Sequence, residues 1–225
     1  MIMKILLLGL ACILPLAAHE PPPRAATTEA TRKFLDTLDA AQKTKAMLPF
    51  NDQERENFRY TPRRRAGLPI GEMTDTQRDA AMKLLASALS EKGQLKVENV
   101  IKLESILAEI EKDPVRRDTG NYFVAIFGTP GDASGWAWRF EGHHLSVNIT
   151  LVADQGISVT PSFLGTNPAE VRQGPSKGLR VLAAEEDLAR DLAIRLRESG
   201  KPTVIFSADP PGEILSGENR TATAL

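Results

Sequence analysis

Trp136-Ala137-Trp138-Arg139-Phe140-Glu141-Gly142-His143-His144-Leu145-Ser146-Val147-Asn148-Ile149-Thr150-Leu151 is the stretch that decides the fold. On both sides of Gly142 the apolar side chains recur at every second position. That is the period of a β-strand, whose successive side chains face opposite ways. Trp136, Trp138 and Phe140 then share one face of a strand, and Arg139 and Glu141 share the other. Leu145 to Leu151 alternates in the same way. Upstream, Tyr122 to Phe127 reads as a strand and Gly128 to Gly135 as a loop of Gly, Pro, Asp and Ser. Downstream, Asp154-Gln155-Gly156 turns the chain and Ile157 to Phe163 returns. Together they make a meander of three or four antiparallel strands.

The period before this stretch is helical. A helix is expected from Thr28 to Met47, with Phe34, Leu38 and Ala41 on one face and Pro49 as its stop. From Phe50 to Gly71 no period holds, and a long irregular segment is either functional or laid across the surface. Thr74-Asp75-Thr76-Gln77 is a capping box, in which hydroxyl and amide side chains satisfy each other's backbone N–H groups. The helix it opens should run to Glu91, with Met82, Leu85, Ala86 and Leu89 inward and Gly93 as a C-cap. A third helix is expected over Val97–Lys112, with Val100, Ile101, Leu103, Leu107 and Ile110 inward, ended by Asp113-Pro114. After the meander, Ala183–Glu198 reads as a last helix with Leu188, Leu192 and Leu196 inward, and Thr203–Phe206 as a short strand. Glu185-Glu186-Asp187 sets negative charge at that helix's positive end. Helices followed by a meander define an α+β class with a single domain over 28–210.

The chain has 225 residues, 42% hydrophobic and 25% charged, which is the composition of a globular protein. Its 28 basic side chains nearly cancel its 29 acidic ones, so no overall field draws it to nucleic acid or an anionic membrane. Lys4, the apolar run Ile5–Leu16 and Ala17-Ala18 form a signal peptide, with cleavage expected after Ala18. The run is too short to span a bilayer, so no membrane span is left after cleavage and the protein is expected to be exported, periplasmic or extracellular. Ala11-Cys12 offers a competing lipoprotein reading, although Gly9 replaces the aliphatic residue such a box prefers. Pro21-Pro22-Pro23 lies in an extended tether over 19–27, and 211–225 reads as a flexible tail. Cys12 is the sole cysteine, so the cleaved chain has no disulfide, thiolate metal site or Cys nucleophile.

Six of the twelve aromatic residues lie between Tyr122 and Phe140, so the meander is where a core or a binding face concentrates. The Trp136–Trp138 face is either core or a stacking platform for a small-molecule or carbohydrate-like ligand. His143 and His144 are candidate catalytic and metal-ligating residues, with Arg139 and Glu141 as substrate or supporting contacts. On a regular strand the two imidazoles point to opposite faces, so they share a site only if Gly142 allows a bulge. A divalent metal is the cofactor they would hold, and weakly, since two histidines fall short of the usual three or four ligands. The loop Gly128–Gly135 is expected beside them. Arg63-Arg64-Arg65 is either a solvated basic face or an anion clamp, with Arg63 as a candidate ligand contact. Asn148-Ile149-Thr150 matches a glycosylation pattern inside a strand, where it has no use. There is no HExxH, nucleophile elbow or P-loop.

Several strings in order carry a family resemblance. They are Tyr60-Thr61-Pro62 with Gly67-Leu68-Pro69, Met73-Thr74 with Gln77-Arg78, and Phe127-Gly128-Thr129-Pro130. Trp136 to Ser146 follows, then Thr160-Pro161, Gly165-Thr166-Asn167-Pro168-Ala169 and Gly174-Pro175. Gly178-Leu179-Arg180-Val181-Leu182 with Glu185-Glu186-Asp187 completes the set. Over residues 50 to 215 the chain resembles the exported bacterial family called domain of unknown function 3500. The resemblance implies a longer chain whose later part carries a His-x-His motif and an Asp-Phe-Gly string. This sequence contains neither, so it is expected to be C-terminally truncated, with half of a site. Two functions from different classes follow. One is a His-dependent, metal-assisted envelope enzyme in remnant or half-site form. The other is a non-catalytic periplasmic module that binds a ligand or partner through the aromatic sheet face.

Overall fold

The computed structural model describes residues 24–153, 155–200, 205, 207 and 209. The expected signal peptide, Cys12, His19, the Pro run and the tail expected over 211–225 lie outside the described residues. So does the strand expected at 203–206, apart from Ile205. The fold is α+β: five α-helices and one mixed, mostly antiparallel sheet among the described residues. None of these helices is long and apolar enough to cross a membrane.

The sheet is built around β3 (Phe123–Phe127), β4 (Trp136–Gly142) and β5 (Leu145–Val152), all antiparallel. Both edges are divided. On one, β1 (Met47–Leu48) pairs parallel with the end of β3, and β2 (Leu68–Pro69) pairs antiparallel with its start. On the other, β6 (Gly156–Ser158) and β7 (Ser162–Leu164) pair with opposite halves of β5. The single strand expected over Ile157–Phe163 is therefore two, and the intervening Thr160-Pro161 bond is cis.

The register sets the core. Val124, Phe140 and Val147 stand side by side, as do Ile126, Trp138 and Ile149. This face packs under α1 (Arg24–Asp36), α3 (Asp75–Ala86) and α4 (Glu91–Glu111), with Phe34, Leu84, Leu85, Val97 and Val100 buried against it. Trp138 Nε1 donates to Thr27 Oγ1 at 3.0 Å, and Ser87 Oγ donates to the same oxygen at 2.9 Å. One threonine hydroxyl thereby joins α1, the end of α3 and the sheet. Trp136 and Trp138 are 0% and 1% exposed, so this face is core and presents no stacking platform to a ligand.

The opposite face of β4 is buried as well, although it carries Arg139 and Glu141. The irregular segment after β1 lies over it. Arg139 Nη1 donates to the Glu54 carbonyl at 2.8 Å, and its Nη2 meets Glu54 Oε1 at 2.7 Å. Glu141 accepts from the Arg59 amide at 3.1 Å, Arg65 Nε at 3.1 Å and Ser146 Oγ at 2.7 Å. The charges neutralise one another under the loop, which is the condition for burying them.

Helix boundaries move where a cap competes with the apolar period. The helix expected over Thr28–Met47 is two, because Asp39 forms a capping box with Gln42 and starts α2 (Ala40–Ala46). The first of them begins at Arg24, inside the expected tether. The Thr74–Gln77 box is present as expected. Ser90 caps α4 six residues early, so Gly93 sits in its first turn rather than at a C-terminus. Leu103 and Leu107 are buried, whereas Ile110 is exposed. On α5 (Ala183–Glu198) no residue is buried, and Leu188 and Leu192 are 70% and 58% exposed. The inward face expected there is a solvent face. Its start carries ion pairs of Arg180 with Glu186 and Asp187, and Lys96 of α4 pairs with Glu185.

Candidate functional site

His143 and His144 are the two central residues of the β4–β5 hairpin, since Gly142 pairs with Leu145 across them. His144 takes a left-handed φ of 56°, unusual for a residue with a side chain. Its amide donates to the Tyr60 carbonyl at 2.8 Å, and its carbonyl accepts from the Gly165 amide at 2.8 Å. No bulge is involved, and Gly142 has another purpose. A Cβ there would lie 2.1 Å from the Tyr122 ring, so glycine is required for that ring to pack on the hairpin. Tyr122 is fully buried, and its hydroxyl donates to the His143 carbonyl at 3.1 Å. Burial, reinforced by Glu104, pushes the phenol well above its ordinary range, so it remains a donor.

The His143 imidazole is buried on an acidic and basic cluster. Its Nδ1 meets Glu104 Oε1 from α4. Arg117 Nη1 lies 3.0 Å from Nδ1 and 3.4 Å from Nε2. These near-equal distances place the guanidinium over the ring rather than along one nitrogen's lone pair. The in-plane direction at Nδ1 is left to the carboxylate. Arg117 is itself fixed by two 2.8 Å bonds to Glu111, which hold the Glu111 carboxyl below its usual range. The His144 ring stacks on His143 with centroids 4.0 Å apart. Burial, with His143 and Arg117 nearby, lowers its pKa to about 4, so it is neutral at pH 7.

His143 and Glu104 line a cleft of about 450 Å³ at the hairpin end of the sheet. Its floor is backbone packed on backbone. The Ile70 amide donates to the Tyr122 carbonyl at 2.8 Å and the Gly71 amide to the Gly120 carbonyl at 3.1 Å. Gly71 and Gly120 touch, so a Cβ on Gly120 would lie 2.8 Å from the Gly71 Cα. One wall carries Arg63, Arg64 and Arg65, and another carries Arg116 and Asp118. Arg65 is buried, donating to Glu141 and to the carbonyls of Thr61 and Gly142, so it ties the wall to the hairpin. The basic run is neither a plain solvated face nor a uniform clamp: its third member is structural and its first two are exposed at the cleft.

The residues expected to act together are therefore redistributed. His143 and Arg63 line the cleft, while Arg139 and Glu141 are occupied under the loop and Trp136 and Trp138 belong to the core. The Gly128–Gly135 loop lies at the other end of β4, a seven-residue strand away from the histidines. The partners actually present, Glu104 and Arg117, went unread in the sequence. Glu104 left a trace there, since it falls on the apolar stripe of α4 between Val100 and Leu107. A carboxylate in such a position needs a buried partner. The two imidazole planes are inclined by 30° to each other in the stack. Among the described residues no three His, Cys, Asp or Glu side chains are grouped to hold a metal.

An α+β protein with an arginine-rimmed cleft and a carboxylate-bound histidine at one end of its sheet is the class that fold and site define. The chain belongs to the family described as protein of unknown function (DUF3500), whose model matches residues 21–224. No curated protein and no solved structure matches it.

Proposed function

We propose that this chain is an exported protein whose cleft carries out acid–base chemistry on a small substrate through His143. The observation behind this reading is the Glu104 carboxylate on Nδ1 of an imidazole that lines the cleft. A carboxylate there fixes the ring's orientation and tautomer, with Nδ1–H donating, and stabilises the imidazolium formed when the ring takes a proton. Nε2 is then the atom that accepts a proton from a substrate or water and returns it. Arg117 over the ring and Tyr122 on its backbone hold the imidazole in place. Lys4, the Ile5–Leu16 run and Ala18 support export.

The second reading is a non-catalytic binding module, favoured by the largely structural use of the charged side chains around the hairpin. Its binding surface would be this cleft rather than the buried aromatic face. A panel of small esters, amides and phosphate esters separates the two. Acid–base catalysis predicts turnover that His143→Gln abolishes and Glu104→Gln reduces, with the fold intact by circular dichroism. If no substrate turns over and a ligand is bound equally by wild type and His143→Gln, the binding module stands.

A further inference from the structure

The charges around the cleft point to the kind of molecule it takes. Among the lining residues, Arg65 is matched by Glu141, Glu72 by Lys45, and Glu104 lies between His143 and Arg117. Asp118 is exposed, and its Oδ1 accepts the Gly120 amide at 2.7 Å. Arg63, also exposed at the cleft, donates from Nε to Thr61 Oγ1 at 3.3 Å. Arg64 and Arg116 remain. Both are exposed and line the same cleft, and neither side chain makes an ion pair or hydrogen bond among the described residues. They come from different segments, the loop before β2 and the turn after α4. The Gly71–Gly120 contact locks those segments together, so the spacing of the two walls is built into the backbone.

We propose that the cleft binds a small dianion, a phosphate monoester or a dicarboxylate, with Arg64 and Arg116 as its cationic contacts. The inference rests on the reading of this cleft as the functional site, and it supplies the substrate class. Two guanidinium groups match two negative charges, and each presents planar donors suited to carboxylate or phosphate oxygens. The cleft volume of about 450 Å³ suits a small molecule rather than a chain. A dianion between these walls would bring its reacting group beside His143.

The test is calorimetric titration of the full chain with inorganic phosphate and, separately, with succinate at low salt. At least one should bind with unit stoichiometry, and the tighter of the two identifies the recognised group. Arg64→Gln and Arg116→Gln should each weaken it by about tenfold or more. Arg180→Gln, altering an arginine paired outside this cleft, should leave it unchanged. Raising the salt should weaken binding to wild type more than to the double variant. Failure of both probes to bind at millimolar concentration overturns the proposal, as does binding that neither Arg64→Gln nor Arg116→Gln affects. His143→Gln keeps the two readings apart. If it abolishes turnover while phosphate affinity is insensitive to Arg64 and Arg116, the dianion proposal fails and the acid–base reading stands. If the arginines control affinity and a substrate's turnover survives His143→Gln, the acid–base reading fails alone.

Discussion

Glu104 Oε1 and His143 Nδ1 meet across thirty-nine residues of sequence, one from the middle of a helix and the other from a hairpin turn. Both side chains are almost wholly buried, as is the Arg117 that lies beside them. Removing Glu104 takes the carboxylate from the buried His143 Nδ1 and leaves Arg117 with Glu111 alone. Glu104→Ala should therefore destabilise the fold by about 3–5 kcal/mol in urea melts. Glu104→Gln, which can still accept a hydrogen bond, should cost less. Equal and small effects from both would show that the cluster is solvated and contributes little to holding the hairpin.

Gly142 and Tyr122 offer a test of close packing. An alanine methyl at Gly142 would overlap the Tyr122 ring, which cannot withdraw because it is buried. Gly142→Ala should destabilise by about 1–3 kcal/mol. Pairing it with Tyr122→Leu should recover part of the loss beyond additivity, since the two changes share one contact. Strictly additive effects would mean that the hairpin shifts as a unit to avoid the ring.

Leucines on α4 and α5 should respond in different ways. Leu107 is 3% exposed on α4, and Leu107→Ala should cost about 2–5 kcal/mol. Leu188 is 70% exposed on α5, and Leu188→Ala should change stability by no more than about 0.5 kcal/mol. A large loss at Leu188 would mean that another surface covers α5.

That contrast shows where sequence reading succeeds. Alternation around Gly142 located β4 and β5 because strand period is local and strong. The Thr74–Gln77 box located the start of α3 because both of its hydrogen bonds lie within four residues. The apolar stripe of α5 was equally legible, but burial depends on what lies opposite, and nothing in the stripe specifies that. The cleft was half legible. His143 and Arg63 stood out by residue type, whereas Glu104 and Arg117 matter only because the chain folds α4 and the following turn against the hairpin. Arg139 and Glu141 misled for the same reason. Adjacency along a strand placed them near His143, while the pleat turned them to a face sealed by the Glu54–Arg65 segment.

The proposed export makes a prediction at the N-terminus. Sequencing of protein recovered from the cell envelope or medium should begin at or near His19. Met1 retained on cytoplasmic protein, or a lipid on Cys12, would contradict it.

His144 predicts a pH dependence of stability with a definite sign. Its pKa in the folded protein lies at about 4, below the ordinary value of 6.5 that it regains on unfolding. Between those values the unfolded chain binds a proton that the folded chain does not. Protonation then favours unfolding, so stability is retained above about pH 6.5 and falls as the pH drops toward 4. The slope should stay under the limit of about 1.4 kcal/mol per pH unit set by one proton, because the ring is only half-buried and water screens it. His144→Asn is the informative variant, because asparagine tolerates the left-handed backbone at this position and carries no titrating group. Urea midpoints of the two proteins, measured from pH 4 to 8, should differ by an amount that changes between pH 4 and 6.5 and is constant above. Carboxylate titrations common to both proteins cancel in that difference. Parallel curves throughout would show that the His144 ring is reached by water and takes its proton without disturbing the stack on His143.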